Sequence, residues 1–346
     1  MKGKQVDTKV IYNPTAKDIE SAGDVIRRGG LVCFPTETVY GLGASALSSE
    51  AAKKIYHAKG RPSDNPLIIH LSDPRDASLY AKTSPSYEKL TAFMPGPLTV
   101  VLPKRDSIPS SVTGGLSTVA VRVPSHPIAR ALIKAAGVPI AAPSANQSGK
   151  PSCTTVQHVI DDMMGRVDLI LDGGDSDFGL ESTILLPYGD NTVKMLRPGA
   201  ITVEMLESAG FDVILDKAVT EKLAEGEVPL APGMKYRHYA PEASVILFDG
   251  DRHAVLMSML AEKDKKGTAF IVYEEDLSLF HGTTVCSIGK HGDTVSYAHR
   301  LFSILRSLDR EDIHTIYAPL PPKDHIGLAL YNRLMKAAGY TVRAVH

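Results

Sequence analysis

Apolar residues in this chain come in short unbroken runs rather than in long helical stripes. LVCFP (31–35), PLIIHL (66–71), LTVVLP (98–103), TVAVRVP (118–124) and VPIAAP (138–143) have the length and continuity of strands covered on both faces. TKVIYNP (8–14) predicts a first strand, and VDLILDGG, STILLP and VKMLRPG predict more, up to about residue 199. Helical stretches separate them. Thr15 can cap a helix to about Arg28, with Asp18 in its first turn and Gly29-Gly30 as its stop. Ser48 or Ser49 opens a second helix that ends at Gly60. Others fall near 75–81, 85–93, 126–137, 154–165 and 201–210. Many short strands mixed with helices, without regular alternation, predict a mixed α/β sheet.

The pattern changes after Asp212. AEGEVPLAPGMKYRHYAPEAS (224–244) has neither helical nor strand periodicity and carries three prolines and two glycines, so it reads as a linker. SVILFDG then restarts a strand, and the order β-α-β-α-β-α that follows predicts a small doubly wound, Rossmann-like domain. The expected organisation is a catalytic domain over 1–211, a linker or lid over 212–243 and a C-terminal domain over 244–346. A length of 346 residues agrees with two domains rather than one.

Charge narrows the chemistry. Residues 1–211 hold 22 Lys+Arg against 21 Asp+Glu, and residues 212–346 hold 16 against 18. Neither half has the basic excess of a protein that binds polyanions by counterion release, so any anion site must be local. Cys33, Cys153 and Cys286 are scattered, with no CxxC pair, which supports neither a disulfide framework nor a structural zinc. No apolar run approaches the roughly 20 residues that span a bilayer, and the polar start lacks a signal core, so the expectation is a cytoplasmic protein without membrane contact.

Two familiar nucleotide motifs fail. GLGASA (41–46) matches GxGxxA, but its strand ends at Pro35, too far upstream for the tight strand-turn-helix context. SANQSGK (144–150) lacks the first glycine of a phosphate loop, and Pro151 stands where Ser or Thr is needed. Other positions carry more. Thr36, Glu37, Thr38 and Tyr40 crowd a turn closed by Gly41 and Gly43 after a buried strand, either to bind a ligand or to satisfy their own backbone. Lys59 and Arg61 flank the stop at Gly60, in a loop pinned by Pro62 and Pro66. Arg122 sits inside an apolar strand with no acidic neighbour in sequence, so it needs a distant carboxylate or a ligand's. Arg197 repeats that pattern. Ser144, Asn146, Ser148 and Ser152 follow another buried strand with small hydroxyls, an amide and free N–H groups suited to phosphate oxygens. Together they favour one converging anion pocket.

The set PTETVYGLG, KGRPSDNPL, PGPLTVVL, VAVRVPSHP, APSANQSGKPS, ESTI and LRPG resembles the YrdC/Sua-type threonylcarbamoyl-AMP synthases, and the linker and tail resemble their longer two-domain form. The resemblance implies a YrdC-like twisted mixed sheet plus the Rossmann-like domain. It implies synthesis of L-threonylcarbamoyladenylate from L-threonine, bicarbonate and ATP, with Mg²⁺ accompanying ATP, for modification of adenosine 37 in tRNA by downstream transfer proteins. It places Lys59, Arg61, Asn65, Thr118, Ser144, Asn146, Ser152 and Arg197 toward ATP, with Lys59 and Arg61 balancing charge, and Tyr236 folding over the nucleotide. Thr36, Thr38, His70, Arg122, the Ala142 backbone and Ser182 fall to threonine. The rival expectation is a double-stranded RNA or tRNA-binding module.

Overall fold

Helices in the N-terminal half begin where the sequence offers a capping oxygen. Thr15 accepts from the Asp18 amide, and Asp18 accepts from the Thr15 amide, a capping box at the start of helix Ala16–Arg27. Ser48 caps helix Ser49–Lys59 by accepting from the Ala51 amide at 3.2 Å. Gly60 stops that helix in the left-handed region at φ 63°, which an L side chain rarely adopts. The computed structural model describes residues 6–222, 230–232 and 239–346.

Among the described residues, eleven short strands form one mixed sheet. They are β1 (Lys9–Ile11), β2 (Val32–Phe34), β3 (Gly41–Ser45), β4 (Ile68–His70), β5 (Leu98–Pro103), β6 (Thr118–Arg122), β7 (Ile140–Ala142), β8 (Leu169–Leu171), β9 (Thr183–Pro187), β10 (Thr192–Arg197) and β11 (Asp212–Leu215). Their spatial order is β1-β8-β2-β3-β7-β4-β6-β5-β9-β10-β11. Ile26 and Ala22 on the first helix, and Ala129, Leu132 and Ile133 on helix Pro127–Ala136, pack with Val32, Phe34 and Leu171 of the sheet in one buried cluster. A second cluster joins Ile68, Val101, Ala120, Ile184 and Leu196 near the sheet's centre.

Two elements differ from the sequence reading. GLGASA is not a turn closed by glycines: Gly41–Ser45 is the strand β3, antiparallel to β2. Its glycines answer to packing, because a Cβ on Gly43 would sit 2.7 Å from the Ile140 side chain and 2.8 Å from the Phe34 ring. Asp212–Leu215, assigned to the linker from sequence, pairs in parallel with β10 and extends the large sheet.

The C-terminal sheet contains β12 (Ser244–Asp249), β13 (Thr268–Val272), β14 (Thr284–Ser287), β15 (Thr315–Pro319) and β16 (Val342–Ala344), in the order β14-β13-β15-β12-β16. Every pairing is parallel, and helices Arg252–Leu260, Thr294–Ser307 and His325–Ala337 connect the strands, as a doubly wound domain requires. β14 and β16 add two strands to those read from sequence. Contacts divide the chain into two compact units, Met1–Ser148 with Ser152–Lys235, and Gly149–Pro151 with Tyr236–His346.

The close approach at Gly43 gives a stability test. Gly43→Ala overpacks the Phe34 and Ile140 contacts and should lower unfolding free energy by about 1–3 kcal/mol, read as a lower urea midpoint at unchanged m-value.

Candidate active site

Register places the polar residues before any side-chain contact is considered. Arg122 of β6 lies opposite His70 of β4 on one side and opposite Thr99 of β5 on the other. Directly paired residues share a face, so the imidazole, the guanidinium and the Thr99 hydroxyl form one row across the sheet. The row continues through Ser182, whose Oγ lies 2.7 Å from Thr99 Oγ1. Arg197, the last residue of β10, donates to Ser182 twice, from Nη2 to Oγ at 3.1 Å and from Nε to the carbonyl at 3.0 Å. Its Nη1 donates to the Pro232 carbonyl at 3.3 Å. On the same face, two residues earlier in β4 and β6 and two residues later in the antiparallel β5, stand the apolar Ile68, Ala120 and Val101. The row therefore borders a hydrophobic floor.

Arg122 has its anion within the protein. Its Nη2 donates to Glu37 Oε1 at 2.7 Å, with both side chains at most 5% exposed. Glu37 Oε2 also accepts from the Ser125 amide at 3.1 Å. Burial pushes the Glu37 carboxyl up, but the Arg122 charge and these hydrogen bonds outweigh it, so the group stays below the usual carboxylate range. The pair leaves Arg122 Nε buried without a partner. Sequence reasoning left open whether the counter-ion was a distant carboxylate or a ligand; the former is present, 85 residues away. It also gave Glu37 no role. The available signal was symmetry: a carboxylate in an apolar stretch, FPTETVYG, is as conspicuous as a cation in TVAVRV.

The turn that carries Glu37 is held by its own hydroxyls. Thr36 Oγ1 donates to the Val39 carbonyl at 2.6 Å, accepts from the Thr38 and Val39 amides, and lies 2.9 Å from Thr38 Oγ1. Both threonines are buried. The backbone-satisfying reading of that turn is thus correct for Thr36, and it is what presents Glu37 to Arg122. His70 is buried against the Phe34 ring edge, and burial followed by the Arg122 charge depresses its pKa to about 3. Its Nδ1 lies 3.2 Å from the Ile68 carbonyl; in the tautomer that donates there Nε2 is the acceptor, and the Ile140 backbone also hydrogen-bonds the ring.

A second group forms where helix Ser49–Lys59 meets the loop after β7. Lys59 is 3% exposed and its Nζ donates to the Ser144 carbonyl at 2.6 Å and to the Asn146 carbonyl. Ser144 Oγ in turn bonds Asn146 Oδ1. Burial, then the Arg61 charge, lowers the Lys59 pKa to about 7. Arg61 curls onto its own loop, donating to the Asn65 and Pro66 carbonyls at 3.4 and 3.1 Å. Asn65 is buried, with Oδ1 lacking a partner. Thr118 is the first residue of β6, roughly 13 Å along the strand from Arg122 at a rise of about 3.3 Å per residue, beside the start of β4 rather than its end. Ala142 lies opposite Ile68. Ser152, fully buried, donates to the Glu181 carboxylate next to Ser182. Tyr236 lies outside the described residues. Thr99 and Glu181, like Glu37, carry contacts in the site that the sequence reading did not assign.

Donors at strand ends, a buried guanidinium with an unpartnered Nε and a neutral imidazole beside an apolar floor are the features of an α/β enzyme with a polar site on a sheet face. The comparisons narrow that class. The family model Sua5_yciO_yrdC, described as "Telomere recombination", matches residues 24–199, and the threonylcarbamoyl-AMP synthase C-terminal domain matches residues 201–339. The chain is 44% identical to a threonylcarbamoyl-AMP synthase from Bacillus subtilis across 93% of each chain. It is 43% identical to one from Pyrococcus abyssi, covering 94% of this chain and 95% of the relative. The crystal structure of P. abyssi Sua5 complexed with L-threonine superposes with a TM-score of 0.88 at 41% identity, covering 98% of this chain and 99% of that one. The chain belongs to the Sua5/YrdC family of threonylcarbamoyl-AMP synthases.

The buried pair can be tested apart from catalysis. Glu37→Ala strands a buried cation and should cost about 3–5 kcal/mol. The double variant Glu37→Ala with Arg122→Met should recover much of that loss in chemical denaturation, and additive losses would mean the two side chains are not energetically coupled.

Proposed function

We propose that this chain condenses L-threonine, bicarbonate and ATP to L-threonylcarbamoyladenylate and pyrophosphate, with the Arg122 row holding threonine and the Lys59 group holding the triphosphate. The observation that carries the reading is Arg122 itself. Glu37 fixes the guanidinium and leaves a buried Nε that one carboxylate oxygen would satisfy. A threonine carboxylate there sits beside His70, whose neutral Nε2 can accept from the substrate hydroxyl or ammonium, and beside Ser182. Thr36, Thr38 and the Ala142 backbone complete that end.

The chemistry asks for positioning more than for covalent help. Bicarbonate gives carbon dioxide by loss of hydroxide; the threonine amine adds to the carbon dioxide and loses a proton, which leaves with the hydroxide as water, giving a carbamate. A carbamate oxygen attacks the α-phosphorus, the bond to the bridging oxygen breaks, and pyrophosphate leaves with its electron pair. Lys59 and Arg61 oppose the negative charge that grows on the phosphates, and Asn65, Thr118, Ser144, Asn146 and Ser152 supply neutral donors. Arg197, which the resemblance gives to ATP, donates to Ser182 of the Arg122 row, and we take it to serve both substrates. Mg²⁺ travels with the triphosphate, as it does where a few protein oxygens and the phosphates share its shell. Among the described residues no cluster of three or more His, Cys, Asp or Glu could hold a metal by itself.

Downstream proteins would pass the threonylcarbamoyl group to adenosine 37 of tRNA, and the setting would be the cytoplasm; no helix of the described residues is long and apolar enough to cross a membrane. The RNA-binding alternative is not favoured, since full-length relatives are named synthases and the charges balance.

ATP–pyrophosphate exchange should require both threonine and bicarbonate, and exchange with another amino acid but not threonine would overturn the substrate assignment. Arg122→Ala should raise the KM for threonine tenfold or more, about 1.4 kcal/mol or above, with the KM for ATP nearly unchanged. Equal loss of both would remove Arg122 from the threonine end.

The Lys59 pKa of about 7 gives a pH test. Above pH 7 the free enzyme carries a largely neutral amine there, and a bound triphosphate favours the ammonium. ATP binding at pH 8 should therefore take up a fraction of a proton, and ATP affinity should fall as pH rises through 7. Calorimetry in two buffers of different ionisation enthalpy would measure the uptake, which should vanish in Lys59→Met.

A further inference from the structure

The proposed reaction leaves the C-terminal sheet without a task. Its strand order sends the connection after β13 to β14 on one side and the connection after β15 to β16 on the other. Neighbouring parallel strands whose connections part in opposite directions open a crevice at their carboxyl ends, and ligands of open α/β sheets settle there. A cavity of ≈ 510 Å³ occupies this place, lined by Val272 and Tyr273 from the end of β13 and by Pro319 and Leu320 from β15. Small-molecule sites span roughly 300–1,000 Å³.

The lining has two characters. Val255, Leu256 and Met259, from helix Arg252–Leu260, form an apolar wall. Tyr273 meets His291 edge-on, with ring centroids 4.8 Å apart. Arg252 is committed to Asp276 at 3.0 Å.

Charge decides what can enter. Three helices start around the cavity, and each has an aspartate at its N-cap: Asp251, Asp293 and Asp324. Asp251 accepts from the His253 and Ala254 amides, and Asp293 from the Ser296 amide at 2.9 Å. Asp324 makes no such bond and its carboxylate stays available. At two of these helix starts the aspartate already takes the amides that a phosphate would use, and at the third a phosphate would face the Asp324 carboxylate. Hydroxyl groups would instead find acceptors, and a flat heterocycle would find the apolar wall and an aromatic ring.

We propose that this cavity binds an unphosphorylated nucleoside, with the base against Val255, Leu256 and Met259 and the ribose hydroxyls toward Asp324. The site is separate from the proposed ATP site and its occupancy does not depend on the reaction assigned there.

The test uses the full chain saturated with α,β-methylene-ATP, so that catalytic-site binding is blocked. Adenosine, guanosine, cytidine and uridine are titrated by calorimetry, each beside its 5′-monophosphate. At least one nucleoside should add about one equivalent, and its monophosphate should bind about tenfold more weakly or worse. Leu256→Trp, which fills the cavity from a half-buried position, should abolish this equivalent and leave pyrophosphate exchange unchanged. Asp324→Lys, an exposed change that cannot disturb the core, should narrow or reverse the gap between nucleoside and monophosphate. No binding by any of the four at millimolar concentration would overturn the proposal. So would a monophosphate that binds as tightly as its nucleoside, or binding that persists in Leu256→Trp.

Discussion

Glu37 and Arg122 are brought together from a turn after β2 and the end of β6, and both are buried. Two charges removed from water repay their desolvation only when geometry and further hydrogen bonds are good. Here the Ser125 amide and the 2.7 Å contact supply them. The arrangement fixes more than one distance. It ties the turn bearing Thr36 and Thr38 to β6, and it holds Arg122 in the row with His70, Thr99 and Ser182 while its Nε keeps no partner. It also helps set protonation, because the Arg122 charge is the second cause, after burial, of the depressed His70 pKa. A neutral imidazole beside a paired cation can accept a substrate hydrogen, which an imidazolium could not.

The strand ends of this site were legible because a polar residue interrupting an apolar run is conspicuous. Lys59, His70, Arg122, Ser144 and Arg197 all stand at such interruptions, and the structure puts each at the end of its helix or strand or in the loop that follows. What sequence concealed depends on pairing across long separations. Glu37 was quoted within its motif but left without a role, since nothing local joins it to a residue 85 positions away. Thr99, in the middle of an apolar strand, becomes part of the row only through the registry of β5 and β6. β3 was misread because its glycines look like turn residues, whereas they are small so that Phe34 and Ile140 can lie against the strand. β11 was lost for the opposite reason. Its residues are mostly exposed at the sheet's edge, and the short apolar run 213–215 stands beside a long stretch without periodicity, so only pairing with β10 defines it as a strand. Motif order located the family; it could not supply these contacts.

Arg122 and Lys59 solve the problem of a buried cation differently, and under the proposed function the difference would orient the substrates. Arg122 is neutralised by Glu37, so its surroundings are close to uncharged. A triphosphate brought there would face the Glu37 carboxylate, while a single carboxylate needs only the spare nitrogen and neutral donors. Lys59 has carbonyl oxygens, not a carboxylate, as its hydrogen-bond partners. Carbonyl dipoles compensate an ammonium only in part, and the amine is accordingly held near pKa 7, ready to gain a proton and full charge beside an anion. On the proposed reading, the more highly charged substrate would be drawn to the partly compensated Lys59, and the amino acid would be left the Glu37-compensated Arg122. The placement of charge that makes the fold tolerable without ligands would then also distinguish the phosphate end from the carboxylate end, with the threonine amine toward the α-phosphorus between them.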